Sequence, residues 1–255
     1  AVGGFIATRS YTLAFLLAAT GMIIYGLMIT FLARETLPAK TSGTLHPAHA
    51  SHGYSPVFKD SHFLLFTLAF TFTSICATLI WVLMGYYAKN NFQIPESQYG
   101  WIATTNALMV VFLQVWVTNR AKRFPPLRVI TAGAVFYTIG AGSVALATGF
   151  WGFWASMVVM TVGELIFMPT STTYVANMAP AEMRGRYMSL FGLSWNVASG
   201  VGTPFGGFLN RQFGPRSIWY GGGLIGIFSV IGFLLLQRFS RRRELIETSA
   251  PPRSQ

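Results

Sequence analysis

The sequence predicts an all-α integral membrane protein, and three observations support this fold class. Of the 255 residues, 53% are hydrophobic and only 10% are charged, whereas about 25% of the residues in a typical soluble domain are charged. Several apolar stretches are about 20 residues long, which is the length that a helix needs to cross the hydrocarbon core. These stretches show no strict alternation of apolar and polar residues, so transmembrane β-strands are excluded.

Seven spans are predicted, and they follow one another along most of the chain. They are Tyr11–Ala33, His62–Tyr87, Gly100–Thr118, Val129–Thr148, Phe150–Ala176, Met188–Leu209 and Ser217–Gln237. The short apolar segment Ala1–Ile6 is expected to be the end of an eighth span. Gly and Pro residues inside the spans, such as Gly140 and Pro169, are common in membrane helices because neighbouring helices satisfy the freed backbone groups.

The positions of the basic residues predict the orientation. Fourteen of the 18 Lys and Arg residues fall in alternate connections or in the C-terminal segment, which places these parts on the cytoplasmic side. Only Arg9, Lys89, Arg211 and Arg216 fall on the opposite side. We therefore expect a multi-pass protein of the inner (plasma) membrane with a cytoplasmic C-terminus. The net charge of +11 needs no nucleic acid to explain it.

Two segments lack the pattern of a span. Residues 34–61 are rich in Pro, Ser, Thr, Gly and His, which predicts a flexible cytoplasmic linker. Within it, His46, His49 and His52 have the spacing to gather a metal ion, but no fourth ligand is nearby, so solvated histidines are the expectation and no metal site is assigned. Residues 240–255, which are basic and then rich in Pro and Ser, predict a disordered cytoplasmic tail.

A short Gly-Gly pattern occurs twice. Gly3 and Gly4, with apolar neighbours, recur as Gly206 and Gly207 about 200 residues later, and each copy precedes an Arg-bearing loop and another apolar run. We therefore expect one complete repeat and a fraction of another, with the N-terminal bundle missing from this chain. Part of any binding site formed between the two repeats would then lie outside the chain.

One connection and the span after it resemble a known family. Pro180, Arg184 and Gly185 form a Pro-x-x-x-Arg-Gly loop, and the following span ends in a Gly-rich segment around Pro204. This combination is similar to the second half of the major facilitator superfamily, specifically its drug-efflux-like bacterial members. The resemblance covers essentially the whole chain, from the end of helix five through helix twelve.

The resemblance implies a division of the chain. Residues 1–33 would be the end of helix five and helix six, which close the N-terminal bundle. Residues 62–239 would form the complete C-terminal six-helix bundle of a major facilitator-type fold. The Gly-rich segment, with Gly202, Pro204, Gly206 and Gly207 and its echo at Gly3 and Gly4, is expected to give close contacts between helices.

The loop at 121–128 departs from the family pattern. An Asp-Arg-x-Gly-Arg motif is usual between the eighth and ninth helices, but Lys122 stands where the acid would be and Pro125 where the glycine would be. An Asp-centred charge relay therefore cannot be carried over to this loop. Arg123 and Arg128 remain as candidates for a gating motif or simply as topology anchors.

Glu164 is the main candidate for a functional residue, because it is the only acidic residue deep within a predicted span. A charge at the bilayer centre costs roughly 2.5 to 3.5 kcal/mol on insertion scales. Keeping the same carboxyl protonated at pH 7 costs roughly 3.7 kcal/mol. Because the two costs nearly balance, Glu164 is expected to act as a proton site or as the counter-charge of a cationic substrate. The structural alternative is a carboxyl bonded to a neighbouring helix.

Other polar and large side chains within the spans are candidates for lining a cavity. Thr71 and Ser74 share one helix face with Thr67 and Thr78, although such residues often bond back to their own helix. Asn106, Gln114 and Asn196 are larger and costlier to bury. Met168 shares the face of Glu164, and Trp195 would add stacking surface. The full candidate set is Thr71, Ser74, Asn106, Gln114, Met168, Trp195 and Asn196.

Together these observations predict a secondary transporter that exports small amphipathic compounds against proton entry by alternating access. The alternatives are a proton-coupled symporter of a polar solute and a non-transporting membrane scaffold or receptor with the same fold. The chain carries none of the common catalytic motifs, so no enzymatic activity and no cofactor are expected. The expected partners are a small-molecule substrate, protons and the lipid bilayer, and the protein is expected to be a monomer.

Overall fold

The computed structural model describes Ile6, residues 10–32 and residues 53–249, and describes side chains as far as Ser240 except at positions 11 and 14. Within these ranges it contains nine α-helices and no β-strand, so the all-α fold class is confirmed. The helices are α1 (Tyr11–Leu32), α2 (Ser55–Lys59), α3 (Ser61–Thr78), α4 (Met84–Phe92), α5 (Glu96–Ala121), α6 (Pro126–Ser143), α7 (Phe150–Met178), α8 (Arg184–Phe213) and α9 (Ser217–Ser249).

Six helical segments in the described ranges are long and apolar enough to cross a membrane. They are α1, the continuous helix 61–92, α5, α6 with the 3₁₀ turn Val144–Leu146, α7 and α9. A π-helical segment, Leu79–Leu83, joins α3 to α4. The remaining predicted span, Met188–Leu209, lies within α8, whose 30 residues are also long enough, although its Gly, Ser and Asn residues make it less apolar. The multi-pass architecture is therefore confirmed.

The core of the bundle lies between α3 and the helices around it. α3 packs against α6, α8 and α9, while α7 packs against both α5 and α6. Aromatic rings fill the centre, and Phe66, Phe167 and Phe233 are almost completely buried. By contrast, every side chain described in α1 is exposed, so this helix presents its apolar surface outward on all sides.

Residues 53–61 are part of the bundle rather than of the flexible linker predicted for 34–61. Pro56 suits the first turn of α2 because it lacks an N–H, and Val57 is completely buried. Asp60 then caps α3 by accepting a hydrogen bond from Phe63 N at 3.0 Å, and its other oxygen accepts one from the Tyr187 hydroxyl at 3.0 Å. Residues 34–52, with His46, His49 and His52, lie outside the described residues.

The C-terminal helix also differs from the prediction. α9 continues to Ser249, through the first ten residues of the segment predicted to be a disordered tail. Residues 238–249 contain no Gly or Pro and include four Arg and two Glu residues, which have high helix propensity. The helix can therefore extend beyond the apolar span.

Replacing Asp60 with alanine is expected to destabilise the protein by about 0.5 to 2 kcal/mol, the usual cost of losing an N-cap. The Tyr187 hydroxyl would lose its acceptor as well. Asp60→Asn keeps an oxygen for the cap and is the matched control. Thermal unfolding of the purified protein measures both. Equal melting temperatures for Asp60→Ala and the wild type would contradict the capping role.

Glycines allow α6 and α7 to approach each other closely. A Cβ on Gly163 would lie 2.9 Å from the Gly133 carbonyl oxygen, and a Cβ on Gly140 would lie 2.9 Å from the Cβ of Met160. Real Cβ atoms do not approach backbone so closely, so α6 and α7 are in direct backbone contact at these positions. This contact holds the helix that carries Glu164.

The glycines of α8 that we predicted to pack closely behave differently from one another. A Cβ on Gly206 would meet Leu83 at 2.4 Å and Leu79 at 2.9 Å, whereas a Cβ on Gly202 would make only ordinary contacts with α3. Gly207 has no described neighbour within 4 Å of such a Cβ, so a packing role for Gly207 stays a prediction. Pro204 lies inside α8. Gly3 and Gly4 lie outside the described residues.

Candidate functional site

Glu164 lies midway along α7, 14 residues from each end of this helix. At 1.5 Å per residue, it is about 21 Å from either end, which places it near the middle of a bilayer whose hydrocarbon core is about 30 Å thick. The side chain is only partly buried. A carboxyl group therefore occupies the middle of a membrane-spanning helix without being sealed inside the bundle.

Asn106 of α5 holds this carboxyl group. Its Nδ2 donates to Glu164 Oε2 at 2.7 Å and also to Thr161 Oγ1 at 2.9 Å, while the Thr161 hydroxyl donates to the Met157 carbonyl at 2.8 Å. Both hydrogens of the amide are thus used on α7. Among the described residues, none donates to the second carboxyl oxygen, Oε1, which is therefore the oxygen on which a proton can sit.

A second link between α5 and α7 depends on a proline. Pro169 has no N–H, so the carbonyl of Leu165, four residues earlier, has no partner within the helix. Gln114 Nε2 donates to this carbonyl at 3.0 Å and to Thr118 Oγ1 at 2.8 Å. The side chain on α5 therefore satisfies the backbone group that the proline frees on α7.

A third hydrogen bond completes a polar seam between α5 and α7. Trp154 Nε1 donates to Thr105 Oγ1 at 3.0 Å. From Trp154 to Leu165 the seam extends over about 17 Å along α7, and Glu164 lies within it. We call this set the α5–α7 seam; it consists of Thr105, Asn106, Gln114, Trp154, Thr161, Glu164 and the Leu165 carbonyl.

The remaining candidates for lining a cavity lie elsewhere. Thr71 and Ser74 donate to carbonyls of their own helix, those of Thr67 and Phe70, at 2.8 and 2.9 Å. Met168 is partly buried one turn after Glu164, and Trp195 and Asn196 are exposed on α8. The structure brings Asn106 and Gln114 to the seam with Glu164, and a cavity-lining role for the whole set remains a prediction.

A cavity of about 580 Å³ opens between α3, α5 and α7 at the end of the bundle that carries Lys122. Its lining includes Thr118, which also accepts the hydrogen bond from Gln114, so it begins next to the α5–α7 seam. Another part of the lining is His62, whose Nε2 is 2.7 Å from the hydroxyl of Tyr174. The cavity leads from one end of the bundle toward the seam.

The residues of the two loop motifs lie at this same end. Arg123 and Arg128 are exposed on either side of the start of α6, and neither forms an ion pair with a described residue. Pro180 precedes a 3₁₀ turn, and Arg184 and Gly185 begin α8. A gating role for these five residues stays a prediction.

The sequence patterns missed several residues that the structure brings together. Asp60 and Tyr187 join α3 to α8, and His62 and Tyr174 join α3 to α7. Asp60 carried a recognisable signal, because an Asp immediately before an apolar run is typical of a helix N-cap. No group of three His, Cys, Asp or Glu residues suited to a metal ion occurs in the part of the chain that the structure describes.

Replacing Gln114 with leucine is expected to cost about 1 to 3 kcal/mol, because the Leu165 carbonyl is left without a partner. In a Pro169→Ala background the cost should shrink, since an alanine at this position restores the N–H that bonds to this carbonyl. A double-mutant cycle of unfolding free energies measures the difference. Equal costs of Gln114→Leu in both backgrounds would show that Gln114 does not compensate for the proline.

The fold and the seam define a class of protein: a multi-pass helical bundle with a partly accessible carboxyl group in the middle of the membrane. The chain belongs to the Major Facilitator Superfamily, because the model of this family matches residues 66–254. Its homologues are transport proteins and not enzymes, and the corresponding sequence predictions are confirmed.

The similar curated proteins are bacterial transporters. The chain is 24% identical to the Na(+), Li(+), K(+)/H(+) antiporter of Planococcus maritimus, with 85% of this chain and 56% of that protein aligned. It is also 24% identical to the multidrug resistance protein MdtH of Escherichia coli, with 92% of this chain and 59% of that protein aligned. The chain thus spans little more than half the length of these relatives.

Solved structures agree on the fold. The POT family transporter PepTSo is matched with a TM-score of 0.60 at 14% identity, over 69% of this chain and 37% of that one. A bacterial homologue of the human lysosomal transporter Spinster, in an inward-facing and unoccupied conformation, is matched with a TM-score of 0.54 at 17% identity, over 73% of this chain and 43% of that one. These likenesses concern the architecture alone.

Proposed function

We propose that the protein is a proton-coupled secondary transporter that exports small amphipathic compounds by alternating access, and that Glu164 is its proton site. The observation that carries this proposal is the geometry of Glu164: one oxygen accepts from Asn106 at 2.7 Å, and the other is left unbonded by the described residues in a partly exposed side chain. The name of MdtH as a multidrug resistance protein supports export of drug-like compounds.

In this mechanism the α5–α7 seam orients the carboxyl group. Because the Asn106 amide donates a hydrogen to Oε2, Oε2 acts as an acceptor in both protonation states. The proton is therefore taken up and released at Oε1. The cavity that begins at Thr118 provides a route between the seam and the cytoplasmic side that the basic residues predict. A cationic substrate near Glu164 favours the ionised carboxylate, so substrate binding and proton release are coupled.

A second candidate is the exchange of monovalent cations for protons. It is favoured by the antiporter from Planococcus maritimus, which aligns with 85% of this chain, and by the oxygen atoms of Glu164 and Thr161 at the seam. Hard cations prefer such oxygen ligands. This candidate uses the same carboxyl group, so the two functions differ in the substrate that evokes the proton movement.

The test is an assay of the complete protein in proteoliposomes with a trapped pH dye. Lipophilic cations and neutral drugs are added in one series, Na⁺, Li⁺ and K⁺ in a second, and a polar solute panel of sugars and peptides in a third. Proton movement evoked only in the first series supports drug export. A response only to the alkali cations supports the second candidate and overturns the first, and no response in any series overturns proton-coupled transport of these substrates.

A further inference from the structure

An apolar groove with two arginines at its mouth lies on the outer surface of the bundle. It has a volume of about 350 Å³, and its lining includes Trp116, Phe124, Ala132 and Ile166 together with Arg120 and Arg128. Apart from the two arginines, the lining consists of apolar residues. The groove is distinct from the α5–α7 seam, and the proposed transport mechanism does not use it.

The depth of the groove matches one leaflet of a bilayer. Ala132 lies six residues from the start of α6, about 9 Å, and Ile166 lies 12 residues from the end of α7, about 18 Å. Half of the hydrocarbon core is about 15 Å thick. The groove thus runs from the membrane surface toward the bilayer centre, as an acyl chain does.

The charge at the mouth of the groove favours an anion. Arg120 lies one residue before the end of α5, and Arg128 is the third residue of α6, so both guanidinium groups are at the level of the membrane surface. Neither forms an ion pair with a described residue. The N-terminus of α6 adds the positive end of its helix dipole at the same place.

A further cavity, on the other side of Arg128 from the groove, continues the basic surface. It has a volume of about 580 Å³, and its lining includes Arg128, Gln237, Arg238 and Ser240. Arg128 therefore lines both the groove and this cavity, and a headgroup bound at Arg128 has the guanidinium group of Arg238 nearby as a further donor. Guanidinium groups bind phosphate with paired hydrogen bonds.

We propose that this surface is a binding site for an anionic phospholipid. The phosphate is bound between Arg120 and Arg128, and one acyl chain occupies the groove along Ala132 and Ile166. Charge complementarity together with a groove as deep as one leaflet distinguishes this occupant from a soluble anion, which would use only the arginines, and from a zwitterionic lipid, which would gain little from two cations. Basic pockets of this kind between membrane helices are suited to anionic headgroups.

The test measures lipid binding to the complete protein in detergent by native mass spectrometry, with phosphatidylglycerol and phosphatidylcholine titrated in parallel. The double variant Arg120→Gln/Arg128→Gln is expected to weaken phosphatidylglycerol binding about thirty-fold, since each cation near an anionic lipid contributes about 1 kcal/mol. Ala132→Trp fills the groove at an exposed position and is expected to weaken binding without changing the charge.

The matched control is Arg211→Gln/Arg216→Gln, which removes two exposed arginines at the opposite end of the bundle. It should retain wild-type binding. Equal losses in both double variants, or equal affinity for the two lipids, would overturn the proposal. Binding that survives Ala132→Trp, or that glycerol phosphate competes away as well as the lipid does, would overturn the role of the acyl chain.

Discussion

Glu164→Gln is expected to abolish substrate-evoked proton movement in proteoliposomes, reducing it to the level of empty liposomes, while the folded protein remains at its normal level. Glutamine has the same shape as glutamate, and its side-chain oxygen can still accept the hydrogen bond from Asn106 that is 2.7 Å long in the wild type. The seam is therefore preserved. What is lost is the group that takes up and releases a proton at Oε1.

Glu96→Gln is the control for this experiment. It removes a carboxylate by the same substitution, but Glu96 begins α5 and pairs with Lys89 at the other end of the bundle from Lys122 and Arg123. An exposed ion pair of this kind contributes at most about 1 kcal/mol, so the flux per molecule should stay unchanged.

The competing structural explanation of Glu164 gives a different result. If the carboxyl only stabilised the packing of α5 on α7, Glu164→Gln would lower the amount of folded protein, and the flux per folded molecule would stay at the wild-type value. Quantifying the reconstituted protein alongside the flux separates the two explanations. Unchanged flux per molecule would overturn the assignment of Glu164 as the proton site.

Gly163→Ala is expected to destabilise the protein by about 1 to 3 kcal/mol, the usual cost of overpacking a core. The added Cβ would lie 2.9 Å from the Gly133 carbonyl oxygen and 2.9 Å from the Cβ of Phe136. Neither neighbour is the end of a flexible side chain, so α6 and α7 must move apart. Because Glu164 is the next residue, its position relative to Asn106 should change, and transport should fall with stability.

Gly207→Ala is the matched control, since a Cβ at Gly207 has no described neighbour within 4 Å. Thermal unfolding of both variants in the same detergent measures the difference. A lower melting temperature for Gly163→Ala alone supports direct backbone contact between α6 and α7. Equal melting temperatures for the two variants would contradict it.

The segments that cross the membrane were predictable because their cause is local. Backbone groups in the hydrocarbon have no water to bond to and are satisfied most simply within a helix, so a long apolar run predicts a helix, and each of the seven predicted spans coincides with one in the described residues. The ends were less predictable. Helix α3 begins at Ser61 after the Asp60 cap, and α9 continues to Ser249, because capping and propensity act outside the apolar run.

The candidate site was predictable only in part. Glu164 stood out because a carboxyl group in a span is costly wherever it lies. Its partners were harder to predict, because Asn106 and Gln114 belong to another helix. Asn196 was an equal candidate from the sequence, but it is exposed on α8. Thr71 and Ser74 looked similar to them but bond to their own helix, since short hydroxyl side chains reach the carbonyl four residues earlier.

The sequence by itself determined that this protein is a helical membrane bundle with an acid in the middle of one span, because hydrophobic length and the cost of a buried charge are properties of single segments. Only the tertiary structure decided that Asn106 meets Glu164 and that Gln114 meets the carbonyl freed by Pro169. These contacts depend on how α5 and α7 are rotated and spaced relative to each other. Many contacts between residues distant in sequence fix that arrangement, including the one between Gly133 and Gly163.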